Sequence, residues 1–227
     1  MAPTLAAVPP VLADTEHWHP DVPATRAVPG HDRWHPDIPP VAEVITGGSV
    51  RLECERARPG EEPVLCGPLA VVGAEPGDVI VVDVVGMGRS DGVYAPYGHP
   101  GVIGCAPAAG SLRPPHGRPA AGARLGRIEP GHPAYPRVAA ESIVTRARGR
   151  DVGGCGIAPL GPGARILLPV HVRGAKLSAG DLHFPESGAA DCRTEGRAGW
   201  IDLRVNLTRQ GVARFGVAGP LLMTGPT

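Results

Sequence analysis

The sequence predicts a mainly β chain, an antiparallel sandwich or barrel with one short helix, and three observations predict it. Glycine (33) and proline (28) make up about a quarter of the 227 residues, too frequent a punctuation for long helices. Apolar residues, 42% of the chain, fall in short Val, Ile and Leu runs rather than at helical spacing. Gly/Pro turn signals separate those runs roughly every ten to fifteen residues. The length suits one large domain or two small ones and is ample for a packed core.

Residues 1–40 are rich in Pro, His and Trp and show no periodicity, which predicts an irregular N-terminal arm ahead of a β domain over residues 41–227. The arm holds a near repeat, His17-Trp18-His19-Pro20-Asp21-Val22-Pro23 against Asp32-Arg33-Trp34-His35-Pro36-Asp37-Ile38-Pro39, and two copies are too few for a solenoid. Over residues 49–55, Val50, Leu52 and Cys54 alternate with Arg51, Glu53 and Glu55, the signature of a strand with one face buried. Residues 68–72 and 78–85 are further strand candidates. The Pro76-Gly77 pair between them suits a type II turn, so they read as a hairpin. The continuous Val79-Ile80-Val81-Val82 run predicts burial on both faces. Residues 135–148 lack glycine and form the one plausible helix. Residues 164–172 read as a buried strand, and residues 200–208 alternate, with Ile201, Leu203, Val205 and Leu207 on one face and Arg204, Asn206 and Thr208 on the other.

Basic and acidic residues balance at 22 each, so the chain carries no electrostatic footprint for nucleic acid or an anionic membrane. Lys176 is the one lysine among the basic residues, which reflects coding bias and still singles it out. The five cysteines, Cys54, Cys66, Cys105, Cys155 and Cys192, are widely spaced and form no Cys-x-x-Cys pair. That spacing argues against a disulfide framework or zinc knuckle, makes buried packing the default for Cys105 and Cys155, and favours a reducing cytoplasm. The first residues lack the basic flank of a signal peptide, and the best apolar run, residues 79–85, is short and contains Asp83. Neither export nor a membrane span is expected.

Three segments gather reactive side chains: residues 31–40, residues 99–107 (His99-Pro100-Gly101-Val102-Ile103-Gly104-Cys105-Ala106-Pro107), read as a glycine-flanked loop or strand end, and residues 174–184. In extended backbone Asp181 and His183 project to one face, where a carboxylate and an imidazole bind a divalent cation or act as an oriented base. The bland alternative is a turn aspartate beside a structural histidine. For His99 it is a loop histidine before proline. For the arm it is a hydrophobic anchor in which Trp34 packs on the sheet while His35 and Asp37 cap a turn. Gly-x-Ser-x-Gly, phosphate-loop and His-Glu-x-x-His motifs do not occur.

Taken in order, four blocks resemble the acetamidase/formamidase family: His31-Asp32-Arg33-Trp34-His35-Pro36-Asp37-Ile38-Pro39-Pro40, residues 69–78, residues 99–107, and residues 174–184 with Ala198-Gly199-Trp200-Ile201-Asp202-Leu203. The opening block is similar to that of the formamidase branch. The resemblance implies a mainly β fold and hydrolysis of a short linear amide, formamide or acetamide, to ammonia and a carboxylate. Carried over block by block, it implies His35 and Asp37 as substrate-binding residues and Asp181, His183, Lys176 and His99 as catalytic ones. Asp181 and His183 are the metal ligands if a divalent metal such as zinc is the cofactor. A small amide is the expected partner, with room for a homo-oligomer.

The chain departs from the family where Asp151-Val152-Gly153-Gly154-Cys155-Gly156 replaces a His-Gly-Gly-Asn block, and where residues 185–191 replace a Gly-Asp-Gly-Glu segment. It is also shorter, chiefly between Gly86 and His99. The alternative reading is therefore an inactive paralogue that keeps the β scaffold as a binding or assembly module.

Overall fold

Among the described residues, ten of the twelve strands form two facing five-stranded sheets, as a period-2 pattern with one apolar face requires. The structure is a computed structural model that describes residues 30–56, 58, 60–112, 122–155, 160–186, 192 and 196–223. In chain order the strands are β1 (Arg33–Trp34), β2 (Ala42–Val44), β3 (Ser49–Cys54), β4 (Leu65–Val71), β5 (Val79–Arg89), β6 (His99–Cys105), β7 (Ile143–Val144), β8 (Gly153–Gly154), β9 (Arg165–Pro169), β10 (Leu177–His183), β11 (Gly199–Thr208) and β12 (Leu221–Met223). One sheet runs β2-β4-β10-β6-β8 and the other β12-β9-β5-β11-β3, while β1 and β7 pair apart. Pairing is antiparallel except between β2 and β4. Among the described residues no helix is long and apolar enough to cross a membrane.

The core lies between the sheets. Val50 and Leu52 of β3, Ile80, Val82 and Val84 of β5, and Ile201, Leu203 and Val205 of β11 meet Leu69 of β4, Ile103 of β6, and Leu177, Ala179 and Leu182 of β10. Each such side chain, fully withdrawn from water, contributes about 1.5 to 3 kcal/mol. On the outer face of β5, Val79 packs against Leu167 and Val217, which accounts for the unbroken valine run.

Four sequence expectations need correction. The Pro76-Gly77 turn forms, with the Asp78 amide donating to the Glu75 carbonyl and Gly77 at φ 94°, but it carries the chain from β4 in one sheet to β5 in the other, so the two strands are not a hairpin. The helix expected over residues 135–148 ends early: α1 spans Tyr135–Glu141, because Ile143 and Val144 pair with Trp34 and Arg33 and the chain continues as a 3-10 turn. A second helix, α2 (Gly211–Phe215), follows β11. Cys155 and Cys192 form a disulfide with Cα atoms 5.9 Å apart, against the expectation from spacing; one cross-link needs proximity in space, which the fold supplies across 37 residues, and the spacing therefore says nothing about compartment.

Residues 30–40 pack against this body. Trp34 is buried, its indole N–H donates to the Thr145 carbonyl, and the Arg148 guanidinium lies 4.8 Å over its ring. The first copy of the arm repeat lies outside the described residues.

Candidate active site

Strands β6 and β10 pair antiparallel with one continuous register, which sets His99 beside His183 and Pro100 beside Leu182. All seven residues of β6 are buried, so the block expected as a loop or strand end is an internal strand. Its small residues explain how it fits. A Cβ on Gly104 would collide with Val152, and one on Gly101 would lie 2.7 Å from both the carbonyl oxygen and Oδ2 of Asp181 and 2.8 Å from His183 Nε2. The side chains of Asp181 and His183 thus occupy the room that Gly101 leaves. Gly196 gives Asp181 room on its other side, where a Cβ would run into Oδ1.

Asp181 and His183 converge, with Oδ2 and Nε2 3.4 Å apart, yet not by simple strand parity: Asp181 adopts a left-handed backbone at φ 57°. The His99 and His183 rings stack with centroids 5.4 Å apart and planes 20° from parallel. His99, Asp181 and His183 are 2%, 7% and 3% exposed, and among the described residues His99 Nε2, Asp181 Oδ1 and both His183 ring nitrogens lack a hydrogen-bond partner. Buried polar atoms in folded proteins are nearly always satisfied, so this concentration marks a place built to meet something polar. Burial holds the His99 imidazole below its ordinary pKa range, and His183 pushes the same way against the Pro100 carbonyl and Asp181. With Nδ1 assigned as donor to the Pro100 carbonyl at 3.3 Å, the unprotonated nitrogen of His99 is Nε2.

The remaining sequence-predicted residues gather elsewhere. Lys176 precedes β10 at the end opposite His183, and its ammonium donates to the carbonyls of Pro36 and, at 2.9 Å, Ile38. His35 accepts the Asp37 amide on Nδ1 at 3.0 Å and faces Glu141 of α1 through Nε2 at 3.2 Å. Asp37 accepts Arg137 at 2.6 Å. These contacts match the turn-capping reading of the arm, and they do not bring His35, Asp37 or Lys176 to the Asp181–His183 pair.

Sequence reasoning missed two members of the site. Strand β8 pairs with β6 through Gly154 opposite Val102, and the Cys155 amide donates to the Gly101 carbonyl at 3.1 Å, which fixes Cys155 beside the buried cluster. Cys155 Sγ, Cys192 Sγ and a ring nitrogen of His99 lie within 4.8 Å of one another, the one group of three potential metal-ligating residues found among the described residues. Asp181 and His183, expected as the ligands, are not in that group. The Gly153-Gly154 pair ahead of Cys155 was the available signal: a Cβ on Gly153 would strike Ile166, and Gly154 has φ 107°.

The family model for the acetamidase/formamidase family matches residues 13–101 and 92–227. The chain is 29% identical to a formamidase of Methylophilus methylotrophus over 277 aligned positions, covering 92% of this chain and 67% of that protein. It is 27% identical to an acetamidase of Mycolicibacterium smegmatis, covering 88% and 71%. The chain therefore spans about two thirds of the length of these relatives. Among solved structures it is similar to a gamma lactamase from Delftia acidovorans, at TM-score 0.75 and 27% identity over 89% of this chain and 70% of that one.

Proposed function

Since the chain belongs to the acetamidase/formamidase family, we propose that the cluster of His99, Asp181 and His183 hydrolyses the carbon–nitrogen bond of a short linear amide, formamide or acetamide, to a carboxylate and ammonia. The observation that carries this is the set of buried polar atoms on those three residues that lack a partner among the described residues, gathered where Gly101 leaves room for the Asp181 and His183 side chains. Amide hydrolysis needs a base to take a proton from water, a stabiliser for the oxyanion and an acid for the leaving amine. His183 serves as base and then acid, and Asp181, 3.4 Å away, orients the ring and balances its charge when protonated. His99, pushed toward its neutral form by burial, stacks on the His183 ring and presents an unprotonated Nε2 rather than a proton donor. A bound divalent metal such as zinc supplies carbonyl polarisation and a more acidic water. With their disulfide reduced, Cys155 and Cys192 together with His99 would hold it, leaving Asp181 and His183 to handle protons.

One observation favours a second reading, an inactive family member acting as a β scaffold: after Gly153-Gly154 the altered block carries Cys155, bonded to Cys192, rather than an amide side chain. Ammonia release separates the two. Purified reduced protein with formamide, acetamide, propionamide and a five-membered lactam, with and without chelator, is expected to turn over the smallest linear amides, with kcat reduced about 10²- to 10³-fold in Asp181→Asn. No turnover of any amide would establish the scaffold reading, and lactam-only turnover would move the substrate class to cyclic amides.

A further inference from the structure

Cys155 and Cys192 stand beside the buried cluster in two chemical relations at once: bonded to each other and with their sulfurs within 4.8 Å of a ring nitrogen of His99. Cys192 is exposed and Cys155 half-buried, so a reductant in solvent reaches the sulfurs. His99 is buried, its Nδ1 is occupied by the Pro100 carbonyl, and its Nε2 has no hydrogen-bond partner among the described residues. An imidazole whose far nitrogen is anchored to a backbone carbonyl is held as metal-ligating histidines are held. Two thiolates and one imidazole are a soft donor set suited to zinc, and three protein ligands leave a fourth position open to a small molecule.

The size of the group agrees with that use. Tetrahedral zinc with Zn–S near 2.3 Å and Zn–N near 2.0 Å separates its sulfurs by about 3.8 Å and each sulfur from the nitrogen by about 3.5 Å. All three ligand atoms already lie within 4.8 Å of one another. Opening the disulfide and letting the sulfurs part by under about 2 Å, within reach of side-chain rotation, brings them to that spacing. The backbone under Cys155 stays put, because its amide is bonded to Gly101 and its strand to Val102 and Ile103.

We propose that Cys155, Cys192 and His99 form a redox-gated zinc site beside the Asp181–His183 pair, holding Zn²⁺ when the cysteines are reduced and excluding it when they are joined. The chemistry balances in two steps. A dithiol reduces the disulfide to two cysteine thiols and becomes a cyclic disulfide itself; Zn²⁺ then displaces the two thiol protons and takes the His99 lone pair. Oxidation needs an acceptor of two electrons and two protons, for which a diazene oxidant serves, and it releases the metal. The proposal rests on the amidase reading only in placing the metal beside the reacting cluster.

The test uses the full chain and no amide. Protein reduced with dithiothreitol and protein oxidised with diamide are each freed of small molecules and titrated with Zn²⁺ against a chromophoric chelator, with free thiols counted in parallel. The expected result is one zinc per reduced chain, at least a tenfold weaker affinity in the oxidised chain, and a difference of two titratable thiols between the states. Cobalt on the reduced chain gives a thiolate-to-metal charge-transfer band. Cys192→Ser, at an exposed position, removes tight zinc in both states, and Cys66→Ser, elsewhere in the fold, leaves it unchanged. Equal zinc affinity in both states, or tight zinc in Cys192→Ser, overturns the proposal. Zinc binding as stated without ammonia release overturns the amidase reading alone.

Discussion

The fit of the active cluster around Gly101 can be tested with one methyl group. In Gly101→Ala the new Cβ would lie 2.7 Å from the Asp181 carbonyl oxygen, 2.7 Å from Asp181 Oδ2 and 2.8 Å from His183 Nε2. An ordinary carbon contact with oxygen or nitrogen is about 3.4 Å, so these atoms must retreat by roughly 0.6 to 0.7 Å. One of them is backbone in an internal strand whose neighbouring residues, Gly180 and Leu182, are both paired with β6, which resists the movement. Overpacking of this kind costs about 1 to 3 kcal/mol of stability. Because it displaces both reacting side chains by a large fraction of an ångström, kcat/KM should fall about 10²-fold. Urea unfolding reads the first effect and ammonia release the second. Gly110→Ala, whose Cβ meets nothing within 4 Å, should change neither. A Gly101→Ala protein with unchanged unfolding midpoint and unchanged kcat/KM would refute the convergence of Asp181 and His183 over this residue.

Two further outcomes follow from residues away from the cluster. His31 is fully buried between the Ser178 hydroxyl and the Arg33 carbonyl, and burial lowers its pKa to about 4. The unfolded chain takes the proton near pH 6.5 and the folded chain only near 4, so the stability it contributes is complete above 6.5 and lost as pH falls toward 4. The full swing is about 3 kcal/mol, and the difference in unfolding free energy between pH 7 and 4.5 should shrink correspondingly in His31→Gln; an identical pH slope in wild type and variant contradicts this. Lys176→Met removes the donor to the Pro36 and Ile38 carbonyls and should cost about 1 to 3 kcal/mol while leaving kcat within twofold. Lost turnover at an unchanged midpoint would return Lys176 to the reaction.

Much of the scaffold was legible because local pattern and final burial coincide. Val50 and Leu52 of β3, and Ile201, Leu203 and Val205 of β11, alternate in sequence and fill the space between the sheets. What was not legible depended on contacts far along the chain. The Pro76-Gly77 turn has the local chemistry of a hairpin, but Asp78 accepts the Glu75 and Gln210 amides, tying the turn to the end of β11 and directing β5 into the second sheet. The helix after Tyr135 was cut short by Trp34 and Arg33, more than a hundred residues earlier, which recruit Ile143 and Val144 as a strand. Strand β6 looked like a loop because Pro100, Gly101 and Gly104 are poor strand formers, and the two glycines are required by what presses on them. The motif blocks brought His99, Asp181 and His183 to attention together, whereas the pairing of Cys155 with Cys192 depends on proximity that spacing does not encode.

The left-handed backbone of Asp181 connects the scaffold to its chemistry. A non-glycine residue at φ 57° inside a strand carries roughly 1 kcal/mol or more of backbone strain, and here the carboxylate also buries an oxygen without a partner among the described residues. The neighbouring residues keep register with β6 on both sides, Gly180 with Val102 and Leu182 with Pro100, so the ladder holds the residue in place. Strain maintained at such a point is characteristic of sites selected for reactivity over stability. Asp181→Gly should therefore relieve the backbone and remove the unsatisfied buried carboxylate, raising the unfolding free energy by about 1 kcal/mol while abolishing ammonia release. The same urea and ammonia measurements decide it. A variant that loses more than about 1 kcal/mol would show that the carboxylate holds the fold together, and a variant that keeps its turnover would remove Asp181 from the reaction.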